Sequence, residues 1–231
     1  MKTETENNTV GPDMARRSFL RYAGIGAASV GLLAATASCH KDHAVTPSAG
    51  IDVGAGDTGI LNFAYALEQL EAAFYIQVIA TPYTGMSPAE LTALTSIRDH
   101  EILHRNFFKA ALGASAIQSL TVDFSSIDFT SRTSVLAQAK AFEDTGVMAY
   151  DGAGYLIQNP TYLTLAGKIV SVEARHAALI RDLITPGSFV ASDVIDSNGL
   201  NNSLTIAQVL PIANTYLKTK VSAASYNYKA S

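Results

Sequence analysis

Residues 96–112 read SIRDHEILHRNFFKAAL, and residues 169–184 read IVSVEARHAALIRDLI. Both space their apolar residues as a core-packed helix does, with Ile97, Leu103 and Phe107 marking the stripe in the first. Yet each sets a glutamate three residues before a histidine, Glu101-Ile-Leu-His104 and Glu173-Ala-Arg-His176. On a helix, positions three apart lie about 60° apart on one face and one turn up the axis. A carboxylate and an imidazole so placed can hold one metal ion, and burying both with no partner is costly.

Outward from these two segments the chain continues in the same period. TGILNFAYALEQLEAAFYIQVIA keeps helical spacing over 59–80, and Thr81-Pro82 stops it. The second helix has Ser87 as its cap, Pro88 at its first position and Glu90 three residues after the cap, a capping-box pattern. Gly113 ends it. Residues 114–130 lack the period and read as a long connection. The third helix is expected over 131–158, with Asn159-Pro160 as the turn, and the fourth over 161–184, before Thr185-Pro186-Gly187. A short helix disturbed by Pro211 is expected within 203–220. Short links join the first helix to the second and the third to the fourth, and a long one joins the pairs. That is the connectivity of an all-α, antiparallel four-helix bundle with one crossover and a C-terminal extension. The domain plan is therefore a bundle over 59–185 followed by an extension over 186–231.

The first and third helices carry matching single carboxylates. ALEQLEAAFY (66–75) aligns with AFEDTGVMAY (141–150), setting Glu68 against Glu143 and Tyr75 against Tyr150. The chain is an approximate repeat of one helix pair, each half offering a lone Glu and a Glu-x-x-His. Six glutamates lie beyond residue 39, namely Glu68, Glu71, Glu90, Glu101, Glu143 and Glu173, and five of them fall in apolar helix interiors. Four carboxylates and two imidazoles suit two divalent first-row metal ions: the carboxylates bridge and offset the charge, and each imidazole caps one ion.

This pattern resembles the ferritin-like superfamily, and within it the exported ferritin-like domain family that includes desiccation-related proteins. The resemblance covers about residues 58–185 and implies Glu68, Glu101, His104, Glu143, Glu173 and His176 as the metal ligands. Glu71, one turn beyond Glu68, is the alternative to it; the repeat alignment favours Glu68. Tyr75 and Tyr150 lean toward the N-termini of their helices and can reach a ligand carboxylate on a neighbouring helix, or can simply pack in the core. His100 breaks the register of Glu101 and His104 and reads as a surface residue or a neighbour of the site. Gly146, Gly152 and Gly154 mark close helix approach, access to a cavity, or merely tolerated small residues. The implied cofactor is a pair of divalent ions, iron ahead of manganese, and the implied partners are small oxidants, O₂ or H₂O₂. Ferroxidase or peroxide-scavenging chemistry fits, as does a manganese-catalase-like reaction. A non-catalytic stress-related bundle that keeps its ligands is the reading from another class.

Composition limits the remaining choices. Of 231 residues, 48% are hydrophobic and 16% charged, with a formal net charge of −4, so no clustered basic surface is available for nucleic acid. A single cysteine excludes an internal disulfide. At the N-terminus, Arg16-Arg17-Ser18-Phe19-Leu20-Arg21 precedes an apolar run of small residues. It resembles a twin-arginine export signal, with Ala15 and Arg21 departing from the usual flanks. The following TASC resembles a lipoprotein cleavage box ending at Cys39, although Thr36 replaces the usual aliphatic residue. A diacylated Cys39 would supply the two-chain anchor that stable membrane attachment needs, making the protein periplasmic or membrane-anchored. Residues 40–58, rich in Gly, Ala, Asp and Pro, are expected to form a tether.

Overall fold

The structure is a computed structural model that describes residues 50–230. The signal, Cys39 and most of the expected tether lie outside the described residues. Four long helices dominate: α1 (Gly56–Ala80), α2 (Pro88–Leu112), α3 (Arg132–Gly154) and α4 (Pro160–Ile184). A short helix, α5 (Ile206–Asn214), follows, and two-residue strands β1 (Ile51–Asp52) and β2 (Val221–Ser222) flank the helical part. The chain is all-α in class, with α1 packed on α2, α3 on α4, and α1 on α3. No helix among the described residues is long and apolar enough to cross a membrane.

Local chemistry sets the helix ends. At α2 the Ser87 side chain accepts from the Glu90 amide at 3.2 Å, and the Glu90 carboxylate accepts from the Ser87 amide at 3.0 Å. The same carboxylate takes Arg132 Nε at 2.7 Å, which ties the start of α2 to the start of α3. Gly113, at φ 55, closes α2 in a conformation that disfavours a side chain. The third helix stops at Gly154, four residues short of the expected Gln158. Its chain end turns away because Asp57, in the first turn of α1, accepts from the Gln158 and Asn159 amides at 2.8 and 2.9 Å. Pro160 then disfavours a helical conformation at Asn159, and the Asn159 side chain caps α4 by accepting from Thr161 at 2.9 Å.

α1 is the central helix. Residues 59–72 are all buried, so its polar residues need partners inside the protein. Asn62 donates to Ser115 O at 2.9 Å and Val53 O at 3.1 Å, and accepts from Ile117 N at 2.9 Å. Gln69 accepts from Leu120 N at 2.8 Å. Two side chains of one helix thus hold the long crossover against the bundle.

Several expectations change. Ile51 and Asp52, assigned to the tether, form β1, which pairs in parallel with β2 in the register Ile51 to Val221 and Asp52 to Ser222. Helix α1 also begins at Gly56, ahead of the expected residue 59. Sequence alone hides this pairing because a two-residue parallel strand has no periodicity of its own. The stripe of α2 is also narrower than expected: Ile97 is buried and Phe107 half-buried, but Leu103 is 57% exposed.

The C-terminal extension is part of the core. Val209, Leu210, Ala213, Leu217 and Val221 are buried in the same cluster as Leu67, Leu70 and Phe142. α5 spans a shorter stretch than 203–220, with Pro211 inside it and Gln208 completing a capping box on Thr205. The three glycines of α3 now separate. Gly152 lies against the Leu204 backbone, whose amide donates to Met148 O at 3.0 Å; Gly146 lies beside the Glu71 carboxylate; Gly154 has nothing near it. A Cβ at 152 would overlap rigid backbone, so Gly152→Ala is expected to cost about 1–3 kcal/mol, as overpacking does. A urea unfolding curve that matches the parent protein's would refute this account of Gly152.

Candidate metal centre

Each long helix delivers polar groups to one space between two apolar layers. Leu61, Ala64 and Tyr65 of α1 pack with Phe108, Leu112 and Ile169 on one side, and Leu70, Phe74 and Val78 belong to the larger cluster on the other. Between them, α1 contributes Glu68, α2 Glu101 and His104, α3 Glu143, and α4 Glu173 and His176. The four glutamates are 0–1% exposed and His176 4%.

Two groups of ligand-capable atoms form there, each with its atoms within 4.8 Å of one another: Glu68–Glu101–His104–Glu173, and Glu101–Glu143–Glu173–His176. Glu101 and Glu173 belong to both. The approximate repeat in the sequence becomes an approximate two-fold arrangement in space. His104 Nδ1 is 2.6 Å from Glu173 Oε1, 3.5 Å from Glu68 Oε2 and 3.9 Å from Glu101 Oε2. Its counterpart, His176 Nδ1, is 2.8 Å from Glu101 Oε1, 3.5 Å from Glu143 Oε2 and 3.6 Å from Glu173 Oε2. The tyrosines cross over in the same way. Tyr75 Oη donates to Glu143 Oε1 at 2.6 Å, and Tyr150 Oη donates to Glu68 Oε1. Each phenol occupies one oxygen of a lone glutamate and leaves the other facing an imidazole.

Burial makes this cluster expensive without cations. Glu68 is raised by burial and by the Glu173 charge, and Glu101 well above the usual range by burial and the same charge. Glu143 is pushed by burial to about 7, against the pull of His176 and Tyr75. Burial alone would lower His104, but the surrounding Glu173 and Glu68 raise it to about 10; Glu101, Glu143 and Glu173 likewise raise His176 to about 12. Glu173, whose burial would raise it, is instead held at about 2 by the two imidazoles. The close contacts are not satisfied hydrogen bonds. Glu68 Oε2, both oxygens of Glu101 and of Glu173 save for their imidazole contacts, Glu143 Oε2, and Nδ1 of His104 and His176 are all buried with no hydrogen-bond partner of adequate geometry. Buried polar atoms are nearly always paired, so a set of orphans aimed into one space has the chemistry of a cation site. Oxygen and imidazole donors in this ratio fit first-row divalent ions.

Of the two α1 carboxylates weighed from sequence, Glu68 enters a group and Glu71 stands beside it. Glu71 is 4% exposed, with its Oε1 set against Gly146, where a glycine leaves room for it. Burial and then the charges of Glu101 and Glu173 push it well above the usual carboxylate range.

His100 stands at the surface beside the site, as expected, but its partner and one ion-pair clamp escaped the sequence reading. His100 Nδ1 lies 2.8 Å from His176 Nε2. Its partner is on another helix, and Val172 occupies its counterpart position in the repeat, so the alignment carried no signal for it. Next to Glu143, Asp144 accepts two hydrogen bonds from buried Arg181 at 2.7 Å each, and Arg181 also binds Asp193 at 2.9 Å. This clamp joins α3, α4 and the segment after α4 just outside the carboxylate box.

No curated protein matches the chain. The family model described as a ferritin-like domain matches residues 56–186, a span that holds all four long helices and every residue of the box. The chain belongs to the ferritin-like domain family.

Proposed function

We propose that the protein holds two divalent first-row metal ions in this box, iron ahead of manganese, and uses them in redox chemistry with O₂ or H₂O₂, as a ferroxidase or a peroxide scavenger. The observation that supports this most is the set of buried carboxylate oxygens and Nδ1 atoms without hydrogen-bond partners, all facing one space. Glu101 and Glu173 serve both positions, Glu68 and His104 complete one, and Glu143 and His176 complete the other. Such a pair of ions supplies a two-electron centre at which a small oxidant is reduced.

The protein's own part is to hold and enclose. Tyr150 and Tyr75 fix the outer glutamates by one oxygen each, keeping the second oxygen aimed inward. The apolar layers formed by Phe108 and Ile169 on one side and Phe74 and Phe142 on the other exclude water from the box. Among the histidine and glutamate side chains of the two groups, His104 is the most exposed, at 13%, so a small oxidant approaches past α2 and α4. Glu71, next to the box and raised by burial, is a carboxyl suited to hold a proton there.

In the same reading, the N-terminal segment exports the protein by the twin-arginine route and leaves it periplasmic or anchored through Cys39. That route carries folded proteins, which allows the metals to be loaded before export. Mass spectrometry of the N-terminal peptide of the native protein distinguishes a diacylated Cys39 from an unmodified one.

The central test is elemental analysis of the natively produced protein, followed by Fe²⁺ oxidation and peroxide consumption assays. Two metal equivalents per chain with oxidation of Fe²⁺ or loss of peroxide are expected. Rapid O₂ evolution from peroxide with bound manganese would move the assignment to a catalase-like reaction. Metal bound without turnover would make the site structural, and no bound transition metal would overturn the proposal.

A further inference from the structure

The near-symmetry of the box is broken at His100. Its counterpart in the repeat is Val172, and its ring lies against His176, with Nδ1 of His100 2.8 Å from Nε2 of His176. The two rings are within 10° of parallel and their centroids are 5.1 Å apart. With nitrogens in hydrogen-bond contact at that centroid separation, the rings meet edge to edge in nearly one plane. They do not lie face to face. That is the geometry of an N–H···N hydrogen bond.

The direction of this bond follows from what surrounds His176. Its Nδ1 faces Glu101, Glu143 and Glu173, so Nδ1 is the atom that offers a lone pair to a cation. Once a cation takes that lone pair, the remaining ring proton sits on Nε2 and is donated to His100, which must present Nδ1 as acceptor and carry its own proton on Nε2. His104 differs. Its Nδ1 faces Glu173, Glu68 and Glu101 in the same manner, but among the described residues its Nε2 has no hydrogen-bond partner.

We propose that His100 is a positioning residue for one half of the centre: by accepting from His176 Nε2–H it fixes that imidazole in the tautomer and orientation that aim Nδ1 at Glu101 and Glu143, and so makes the His176 position the tighter of two inequivalent metal positions. The inference rests on the dinuclear reading above. A partner outside the ligand set of this kind is worth about 10- to 100-fold in metal affinity. His100 is itself exposed, so this support reaches the buried His176 from the protein surface.

The test is a Co²⁺ titration of the full chain, by calorimetry and equilibrium dialysis, for the parent protein and two variants. The parent is expected to fill in two steps of unequal affinity. His100→Leu, which removes the acceptor, is expected to weaken the tighter step by about 10- to 100-fold and leave the other unchanged. His100→Asn, whose Oδ1 stands as many bonds from the backbone as Nδ1 did, is expected to restore most of the loss. In a His176→Gln background His100→Leu should have no effect on the remaining position, whereas in a His104→Gln background it should weaken it. A merely structural role would lower both steps alike and would act in both backgrounds. ¹⁵N spectra of the Zn²⁺-loaded parent are expected to show His176 protonated at Nε2 alone, with a hydrogen-bonded shift that His100→Leu abolishes. Unchanged affinities in His100→Leu, or equal weakening of both steps, overturn the assignment of His100 while leaving the dinuclear reading intact. A parent protein that binds no Co²⁺ overturns the dinuclear reading itself, and this inference with it.

Discussion

Glu101→Ala is expected to empty both metal positions at once, whereas Glu68→Ala or Glu143→Ala empties one. The difference comes from where each carboxylate stands. Glu101 places Oε1 2.8 Å from His176 Nδ1 and Oε2 3.9 Å from His104 Nδ1, so it faces both imidazoles and belongs to both ligand groups. Glu68 and Glu143 each belong to one group and are each tied to one tyrosine. Losing a donor common to both positions should cost each more than about 100-fold in affinity, beyond the upper end of what a supporting partner outside the ligand set contributes. Because Glu101 faces both buried imidazoles, its loss leaves them with fewer partners and is expected to lower stability as well. The check is metal content per chain after equilibrium dialysis, with a thermal melt of each variant as control. A Glu101→Ala protein that keeps one ion at the parent's affinity would show that the two positions do not share this carboxylate.

Much of this geometry was legible because a repeat makes chemistry visible. EILH in one helix and EARH in another, each preceded by an aligned Glu and Tyr, locate six polar residues on inward faces without any three-dimensional knowledge. The ends of α2 were equally plain, since Ser87, Pro88, Glu90 and Gly113 act through bonds within a few residues. What stayed hidden depends on contacts between distant segments. The early end of α3 is set by Asp57, about a hundred residues away in sequence. β1 exists only because β2 is there to receive it. The 203–220 segment read only as a short helix in an extension, yet Val209 and Leu210 complete the core, because Gly152 lets the Leu204 backbone settle on α3. His100 was legible as a surface residue or a neighbour of the site, but its partner was not: the same repeat that exposes symmetric residues is silent about the one that breaks the symmetry. Arg181, in a helix read for its apolar stripe, gave no hint that Asp144 and Asp193 would share it.

Removal of the metals is expected to invert the response of stability to pH. In the metal-free protein His104 and His176 titrate at about 10 and about 12, above the usual 6.5, so the folded state binds more protons than the unfolded one. Their contribution is complete below the unfolded value and is lost as pH rises toward the folded ones. Glu68, Glu71, Glu101 and Glu143 are also raised, Glu143 to about 7, and they too favour the folded state less as pH climbs above the usual carboxylate range. Glu173 alone acts the other way. Held at about 2, it stabilises above its unfolded value and loses that contribution as pH falls from 4.5 to 2. The metal-free protein should therefore be most stable at mildly acidic pH and weaken steadily between about pH 5 and pH 9. Cations replace those protons: bound ions need Nδ1 and the carboxylates deprotonated, so metal affinity grows as pH rises. At about 100 times Kd, each occupied position adds about 2.7 kcal/mol, and two add roughly 5 kcal/mol. For a chain of this size that corresponds to a rise in Tm of about 10–20 °C. Calorimetric melts with and without Mn²⁺ across this pH range should show a gap between loaded and metal-free protein that widens with pH. A gap that stays constant or narrows would mean that the ions do not displace protons from these imidazoles and carboxylates, and would place metal binding outside the box.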